Sequence, residues 1–402
     1  MHVEATRVLF GMDEFRVLDA EFVDGEVHVA IETLRSEAAC PTCGVFSARV
    51  KQRPVVRVRD GISFGRRVVL WWCKRRFRCA ELACERLSFT ETTAAIAPRA
   101  RLSGRLRDAI YAAVKTRSVS DVAVEHGVSW RTAWRAAQTR IRAGLAGRPS
   151  GPPSRLGLDE TTFRRPQRYA TGFVDLETGK LADLVEGRSK KLVTDWLDGL
   201  GDAKDDIVDV VIDPFAGYNA AVRDTIADAR RTVDRFHVVK LANQVITDVR
   251  CRRNQELTGH RGRKRDPLYG ARRDLTRGEE RLTERGRERI ARAFAADTSL
   301  ELECVWVAKE ALRDVYELRD RHQAHLALVR WYQLVVDYDV AELTTFALTV
   351  SRWETEFLNY FDSGLTNGRT EGRNLIIKAV KRTGFGFTNF DNYRLRVLYR
   401  CT

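Results

Sequence analysis

Val208-Asp209-Val210-Val211-Ile212-Asp213-Pro214-Phe215 holds an apolar, β-branched run that closes on an acid and a proline. A run from Val208 to Ile212 with so little polar relief suits a central strand covered on both faces of an α/β sheet. Asp213 then stands at the strand's C-terminal end, where open α/β sheets gather ligands and metals. Upstream, Leu156-Gly157-Leu158-Asp159 repeats the device: a short apolar strand ending on an acid. Strand-like runs at 155–163, 168–176 and 180–186 and a helical stretch at 189–200 precede the Val208 run. Strand, strand, strand, helix, strand is the expected order.

That is the order of an RNase H-like sheet, in which the first and fourth strands lie side by side. Asp159 and Asp213 would then meet, and two carboxylates brought together repel unless a cation intervenes. Magnesium, with its preference for hard oxygen ligands, is the natural choice. A third acid is expected from a late helix over 369–382, broken by Gly384-Phe385-Gly386-Phe387. In Thr370-Glu371-Gly372-Arg373-Asn374-Leu375-Ile376-Ile377-Lys378, residues Glu371, Asn374, Lys378 and Arg382 fall on one helical face. Leu375, Ile376, Ala379 and Val380 are left to pack on the other side. One acid among amide and basic groups suits a metal beside a phosphate backbone. Glu354 and Glu356 rank below Glu371 because no basic stripe accompanies them.

The N-terminal third carries a different chemistry. Five of the eight cysteines lie between Cys40 and Cys84. Cys40-Pro41-Thr42-Cys43-Gly44 forms one knuckle and Cys79 with Cys84 a second, which predicts a closed four-thiolate structural zinc site. Cys73 is a bystander within a strand. Val55 to Val58 and Arg66 to Phe77 are expected to be the ribbon's hairpin, inside an N-terminal region, 1–99, that also holds strands over 3–35. Arg75, Arg76 and Arg78, beside Trp71, Trp72 and Phe77, suit phosphate contact with aromatic support.

Three amphipathic segments follow at 103–116, 119–126 and 129–143. Ser118 and Ser129 are placed to cap the second and third, and Gly127 suits a left-handed turn. A helix-turn-helix over 100–148 is expected, with Arg131, Thr132 and Arg135 facing a DNA groove. Arg148-Pro149-Ser150-Gly151-Pro152-Pro153 reads as a linker. The net charge of +14 favours a polyanionic partner. No run of about 18 apolar residues suggests a membrane span, and a charged N-terminus without a leader pattern suggests a cytoplasmic, nucleoid-associated protein.

In order along the chain, these pieces resemble the ISL3 family of bacterial insertion-sequence transposases. The resemblance rests on the paired Cys knuckles with Arg75-Arg76-Phe77-Arg78, Phe89-Thr90-Glu91, Gly157-Leu158-Asp159-Glu160, Val211-Ile212-Asp213-Pro214-Phe215, Val233-Asp234-Arg235-Phe236-His237-Val238-Val239-Lys240, and Asn367 through Lys378 with Thr383-Gly384-Phe385-Gly386-Phe387. It implies a multidomain α/β protein. A zinc ribbon and a helix-turn-helix would precede an RNase H-like core at 154–240 and 366–402, split by an α-helical insertion at 241–365. It implies a DDE triad of Asp159, Asp213 and Glu371 working with two Mg2+ or Mn2+ ions, and a structural Zn2+. Asp234 and His237 occupy a spacing found in related transposases; a packed histidine at a strand–helix corner fits equally well. Double-stranded DNA, both inverted repeats and target, is the implied partner, engaged by a homodimer or larger assembly. A transposase-derived regulator or a structure-specific nuclease is the alternative reading.

Overall fold

The computed structural model describes residues 11–148, 151–164, 166 and 168–401. The expected strand positions before residue 11, and Pro149 and Ser150 of the expected linker, lie outside the described residues. The chain forms two compact units, Met1–Arg148 with Ala379–Arg400, and Pro149–Lys378 with Cys401–Thr402. The expected core segment 366–402 is therefore divided, and its last helix belongs with the N-terminal residues.

In the first unit, β1 (Phe15–Val23), β2 (Glu26–Thr33), β6 (Val55–Ser63) and β7 (Arg66–Cys73) form a sheet in the order β1-β2-β7-β6. Apolar side chains on one face hold it: Val68, Leu70 and Trp72 of β7 are buried with Phe15, Val29, Ile31 and Val58, while Val69 is buried on the other face. This corrects the ribbon expectation. β6 and β7 do pair antiparallel, but β7 also pairs parallel with β2 and so belongs to the N-terminal sheet. The ribbon uses smaller pieces. β3 (Ala38–Ala39) pairs with β4 (Phe46–Ser47), and β8 (Arg76–Arg78) lies between β5 (Val50–Gln52) and β9 (Ser88–Thr90).

Arg75 is a second correction. It was expected at the DNA face, yet it is 6% exposed. Its guanidinium donates to Glu91 Oε2 at 3.2 Å and to the Thr33 carbonyl at 3.0 Å, and also to the Arg35 carbonyl. Its own amide donates to Glu91 Oε1 at 2.6 Å. Trp72 and Phe77 are likewise core residues rather than aromatic support for phosphate, while Arg78 is exposed and Arg76 half-buried. Arg75→Met strands a buried carboxylate and two carbonyls, so unfolding free energy should fall by about 3–5 kcal/mol. Denaturant titration of the purified variant measures this; an unchanged midpoint would contradict the assignment.

The same unit holds α1 (Gly104–Ala113), α2 (Val119–His126) and α3 (Trp130–Ala146). Ser103, Ser118 and Ser129 accept from the backbone N–H three residues on, each capping its helix. Gly127 takes φ 62° at the α2–α3 turn, where a Cβ is disfavoured. Leu106, Ile110, Val122, Trp134 and Ile141 pack together with Leu395 and Tyr399 of the closing helix Phe390–Arg400. Arg396 of that helix donates to the carbonyls of Val114, at 2.9 Å, and Arg117, at 2.7 Å.

The second unit is built on β10 (Arg155–Arg164), β11 (Arg168–Asp175), β12 (Leu181–Glu186), β13 (Asp209–Ile212) and β14 (Arg230–Val233), in the order β12-β11-β10-β13-β14. β10, β11 and β12 run antiparallel in turn, and β10, β13 and β14 run parallel. The first and fourth strands are thus neighbours, and Gly157 pairs with Val211. Asp209 interrupts the apolar run; it is buried, with Arg230 Nε at 2.6 Å and Arg155 Nε at 3.6 Å. One face packs on α4 (Lys190–Asp198) and α5 (Ala216–Thr225). The Phe173 and Trp196 rings stack there with centroids 3.9 Å apart. α6 (Arg235–Thr258) starts two residues past β14 and runs across the boundary expected between the core's first part and the insertion. Helices Glu284–Ala296, Glu301–Val315, Arg321–Tyr338 and Ala341–Arg352 share its core. No helix among the described residues is long and apolar enough to cross a membrane.

Candidate active site

α7 (Gly368–Thr383) approaches β10 closely. A Cβ on Gly157 would stand 2.4 Å from Thr370 Oγ1 and 2.8 Å from Asn367 Oδ1, so only glycine permits the approach. Asn367 Nδ2 donates to the Leu158 carbonyl at 3.0 Å, and Thr370 Oγ1 donates to Asn367 Oδ1 at 2.9 Å. These bonds set α7 against the strand that carries Asp159.

One cleft of 790 Å³ is lined by Asp159, Glu160, Asp213, His237 and Glu371, with Arg188, Lys240, Asn374, Leu375 and Lys378 among its other walls. Ligand atoms of Asp159, Asp213 and His237 all lie within 4.8 Å of one another. Glu371 lines the cleft outside that tight group. Asn374 Nδ2 donates to Asp159 Oδ2 at 2.5 Å. His237 Nδ1 is 2.9 Å from Asp213 Oδ1 and 3.1 Å from Asp234 Oδ2. The contact with Asp234 has hydrogen-bond geometry. Asp213 Oδ1 is shielded from solvent without a donor of that geometry. Asp234 is fixed in turn by the Asn367 amide, which donates to its Oδ1 at 3.1 Å.

The electrostatics show a surplus of negative charge. Burial, followed by the charge of Asp213, pushes the Asp159 carboxyl up to about 7. Burial and Asp234 also raise Glu371. Burial disfavours protonation of His237, but the carboxylates of Asp213 and Asp234 beside its ring outweigh burial and bring it up to about 10. Buried oxygens that resist ionising together, one of them orphaned, fit a hard divalent cation.

The sequence-derived site residues therefore separate. Asp159, Asp213, Glu371, His237, Asn374 and Lys378 line one cleft, with Asp234 bracing His237. Arg382 lies in the other compact unit. Leu375 is 68% exposed and faces the cleft, while Ile377 is buried in the place expected for it. Asn374 turns inward to Asp159, which rotates the helix face by one position. Glu354 accepts from Tyr332 Oη at 3.1 Å and Glu356 from Asn219 Nδ2 at 3.0 Å; neither lines the cleft. Arg188 and Lys240 also line the cleft and Asn367 braces it; Lys240 and Asn367 lie within the motifs quoted above, whereas nothing local sets Arg188 apart from the chain's many other basic side chains.

In the first unit, the thiols of Cys40, Cys43, Cys79 and Cys84 all lie within 4.8 Å of one another, and Cys73 is not among them. Sulfur separations of 3.5 Å (Cys43–Cys79) and 3.9 Å (Cys40–Cys84) suit the edges of a zinc tetrahedron. Burial works against ionisation of Cys40, but the amides of Cys43 and Thr42 overcome it and lower the thiol to about 6. On α3, Arg131 and Arg135 are exposed, and Thr132 Oγ1 shares a 2.8 Å bond with the Ser129 cap.

Comparison with known families places this architecture. Residues 156–397 match the DDE transposase family of ISL3, residues 36–84 the zinc-finger of transposase IS204/IS1001/IS1096/IS1165, and residues 91–141 the helix-turn-helix domain of transposase family ISL3. The chain belongs to the ISL3 transposase family. It is 27% identical over 360 residues to the transposase for insertion sequence element IS1001 of Bordetella parapertussis, covering 89% of this chain and 87% of that protein. It is 28% identical over 254 residues to the transposase for insertion sequence element IS1557 of Mycobacterium tuberculosis, covering 58% of this chain and 56% of that one. Among solved structures, the Drosophila P element transposase strand transfer complex aligns over 74% of this chain and 92% of that chain, with a TM-score of 0.39 and 10% identity. Membership of the ISL3 family implies a metal-dependent polynucleotidyl transferase. The ribbon match and four-cysteine group support structural zinc, and the helix-turn-helix supports DNA binding.

Proposed function

We propose that this ISL3 transposase cuts DNA at the ends of its own element and joins the freed 3′ ends to target DNA, using Asp159, Asp213 and Glu371 on an RNase H-like core. The observation that carries the reading is a single cleft lined by Asp159 and Glu160 of β10, Asp213 at the end of β13 and Glu371 of α7, in which Asp159, Asp213 and His237 bring ligand atoms within 4.8 Å of one another. The strand order β12-β11-β10-β13-β14 supports the RNase H-like assignment. On this reading the core comprises 154–240 and the start of 366–402, and 241–365 is the helical insertion.

Asp159 and Asp213, with Glu371, would hold Mg2+ or Mn2+, which when bound lowers the pKa of an attacking water and offsets charge on the leaving 3′ oxygen. Asn374 orients Asp159 through its 2.5 Å bond. His237, kept protonated by Asp213 and Asp234, places a fixed positive charge beside the reacting phosphate. Arg188, Lys240 and Lys378 line the cleft and grip the phosphate backbone of the incoming strand. The ribbon, through Arg76 and Arg78, and α3, through Arg131 and Arg135, hold the inverted repeats. Two ends must be synapsed for joining, so a dimer or larger assembly forms on DNA.

The test is a donor duplex bearing the element's ends, incubated with a supercoiled target plasmid and Mg2+. Joined products are expected, and cutting without joining would instead indicate a nuclease. Glu371→Gln should lower both cleavage and joining by about a hundredfold or more, on the scale of several kcal/mol for a lost metal ligand. Full activity of that variant would remove Glu371 from the triad.

A further inference from the structure

The Gly384-Phe385-Gly386-Phe387 turn is not absorbed by the chemistry above. It closes α7 with a paired-bond cap: the Phe385 amide donates to the Arg382 carbonyl at 3.1 Å and the Gly386 amide to the Lys381 carbonyl at 3.0 Å. That motif puts its left-handed residue at position 385 and normally uses glycine there. Here a phenylalanine takes φ 53°, although glycines stand on both sides. Its ring is 86% exposed, so packing does not offset the steric cost. The following residue does the opposite. Phe387 is anchored against Tyr393, with ring centroids 5.1 Å apart, and a Cβ on Gly384 would meet its ring at 2.6 Å. The turn is held by Phe387, and Phe385 is held out.

What it is held out beside is the helix-turn-helix. Gly384 and Gly386 line one small cavity of 170 Å³ with Ser118 and Val119 at the start of α2 and Trp130 at the start of α3. Asn392 Oδ1 accepts from Trp134 Nε1 at 2.9 Å, which ties the closing helix to α3. The N-terminal end of α3 carries exposed Arg131 and Arg135, and Arg382, one turn before Phe385, is exposed too.

We propose that Phe385 is a wedge that enters a base step of the duplex held by α3, unstacking it. The inference rests on the DNA-binding reading of the helix-turn-helix. DNA is favoured over a protein surface because the residues that flank Phe385 in sequence, Gly384, Gly386, Thr388 and Asn389, add no apolar side chain beyond the anchored Phe387, and the nearest exposed charge in sequence is Arg382. A protein contact needs a contiguous apolar patch. A base step needs one flat side chain between two phosphate-binding groups.

The test uses the full-length protein and duplexes of the element's terminal repeat with 2-aminopurine placed at successive positions. Wild type should raise fluorescence at one step, and Phe385→Trp should keep it. Phe385→Gly should abolish the rise and weaken binding about fivefold to a hundredfold, the range for one lost base–aromatic stack. Its unfolding temperature should stay level or rise, because glycine relieves the left-handed backbone, whereas a merely structural phenylalanine would lower it. Phe64→Gly is the control: that ring is 82% exposed at another left-handed turn, φ 49°, and its loss should leave the signal intact. Wild-type fluorescence from Phe385→Gly overturns the wedge, as does its keeping that signal while losing self-association. The underlying DNA reading is checked separately. An Arg131→Ala, Arg135→Ala double variant that binds the repeat normally refutes that reading whatever Phe385 does.

Discussion

Asp159→Asn is expected to bind the element's repeats as wild type does and to cut them at least about a thousandfold more slowly, roughly 4 kcal/mol of lost barrier reduction. The same substitution should stabilise the cation-free protein at pH 8. The sign follows from the direction of the shift. The folded carboxyl of Asp159 is pushed up to about 7, above its ordinary 3.8, so the folded state holds the proton more tightly. That contribution is complete below about pH 4 and is lost as pH rises through 7. His237, raised from 6.5 to about 10, has the same slope: its stabilisation is complete below 6.5 and lost as pH rises through 10. Wild type should therefore melt at progressively lower temperature between pH 5 and 8 without cation, and recover when Mg2+ or Mn2+ is added. Asp159→Asn should flatten most of that decline, on the order of a few kcal/mol, and respond less to the ion. Thermal melts at both pH values with and without cation measure this. A variant as pH-sensitive as wild type would show that Asp159 is not the strained acid, and undiminished cleavage would remove it from the chemistry.

The readable parts of this chain were those whose signals are local. Leu156-Gly157-Leu158-Asp159 and Val210-Val211-Ile212-Asp213 announce strands by composition, and their terminal acids line one cleft, while the caps at Ser118 and Ser129 fix the α2 and α3 starts within a residue. What failed depended on partners distant in sequence. Arg75 reads as a solvated base because its acid, Glu91, lies beyond the second knuckle. β7 reads as a ribbon strand because its parallel neighbour β2 precedes the first knuckle. Helical periodicity set Leu375 inward, but the bond from Asn374 to Asp159 fixes the rotation and leaves Leu375 facing the cleft. The closing helix carries no sign of its destination, which is set by Leu395 and Tyr399 meeting the helix-turn-helix core.

Removing zinc should unfold the ribbon while leaving the four-stranded sheet in place. β3 and β4 are two residues each, and β5, β8 and β9 three each. Their shared core is Phe77 and Phe89 with Cys40 and Cys84. So little apolar surface cannot offset the entropy of ordering these turns. Without metal the four thiols also oppose one another: although the Glu81 amide favours its thiolate, burial and the other thiols push Cys79 up to about 12. A structural zinc bound by four thiolates contributes about 10–16 kcal/mol of apparent binding free energy, which is folding free energy here. A strong chelator, or Cys79→Ser, should release one zinc per chain and abolish hydrogen-exchange protection across residues 38–52 and 76–90. Amides of β2 and β7 should stay protected, since Val29, Val68, Leu70 and Trp72 form a core that contains no cysteine ligand. Cys73→Ala should keep the full zinc content, because its thiol lies outside the four-sulfur group. Repeat binding should weaken with the ribbon, because Arg76 and Arg78 lose their common strand. A chelated protein with unchanged protection in both segments would mean that the thiols pack without metal, and the ribbon would then need another source of stability that its few apolar residues do not supply.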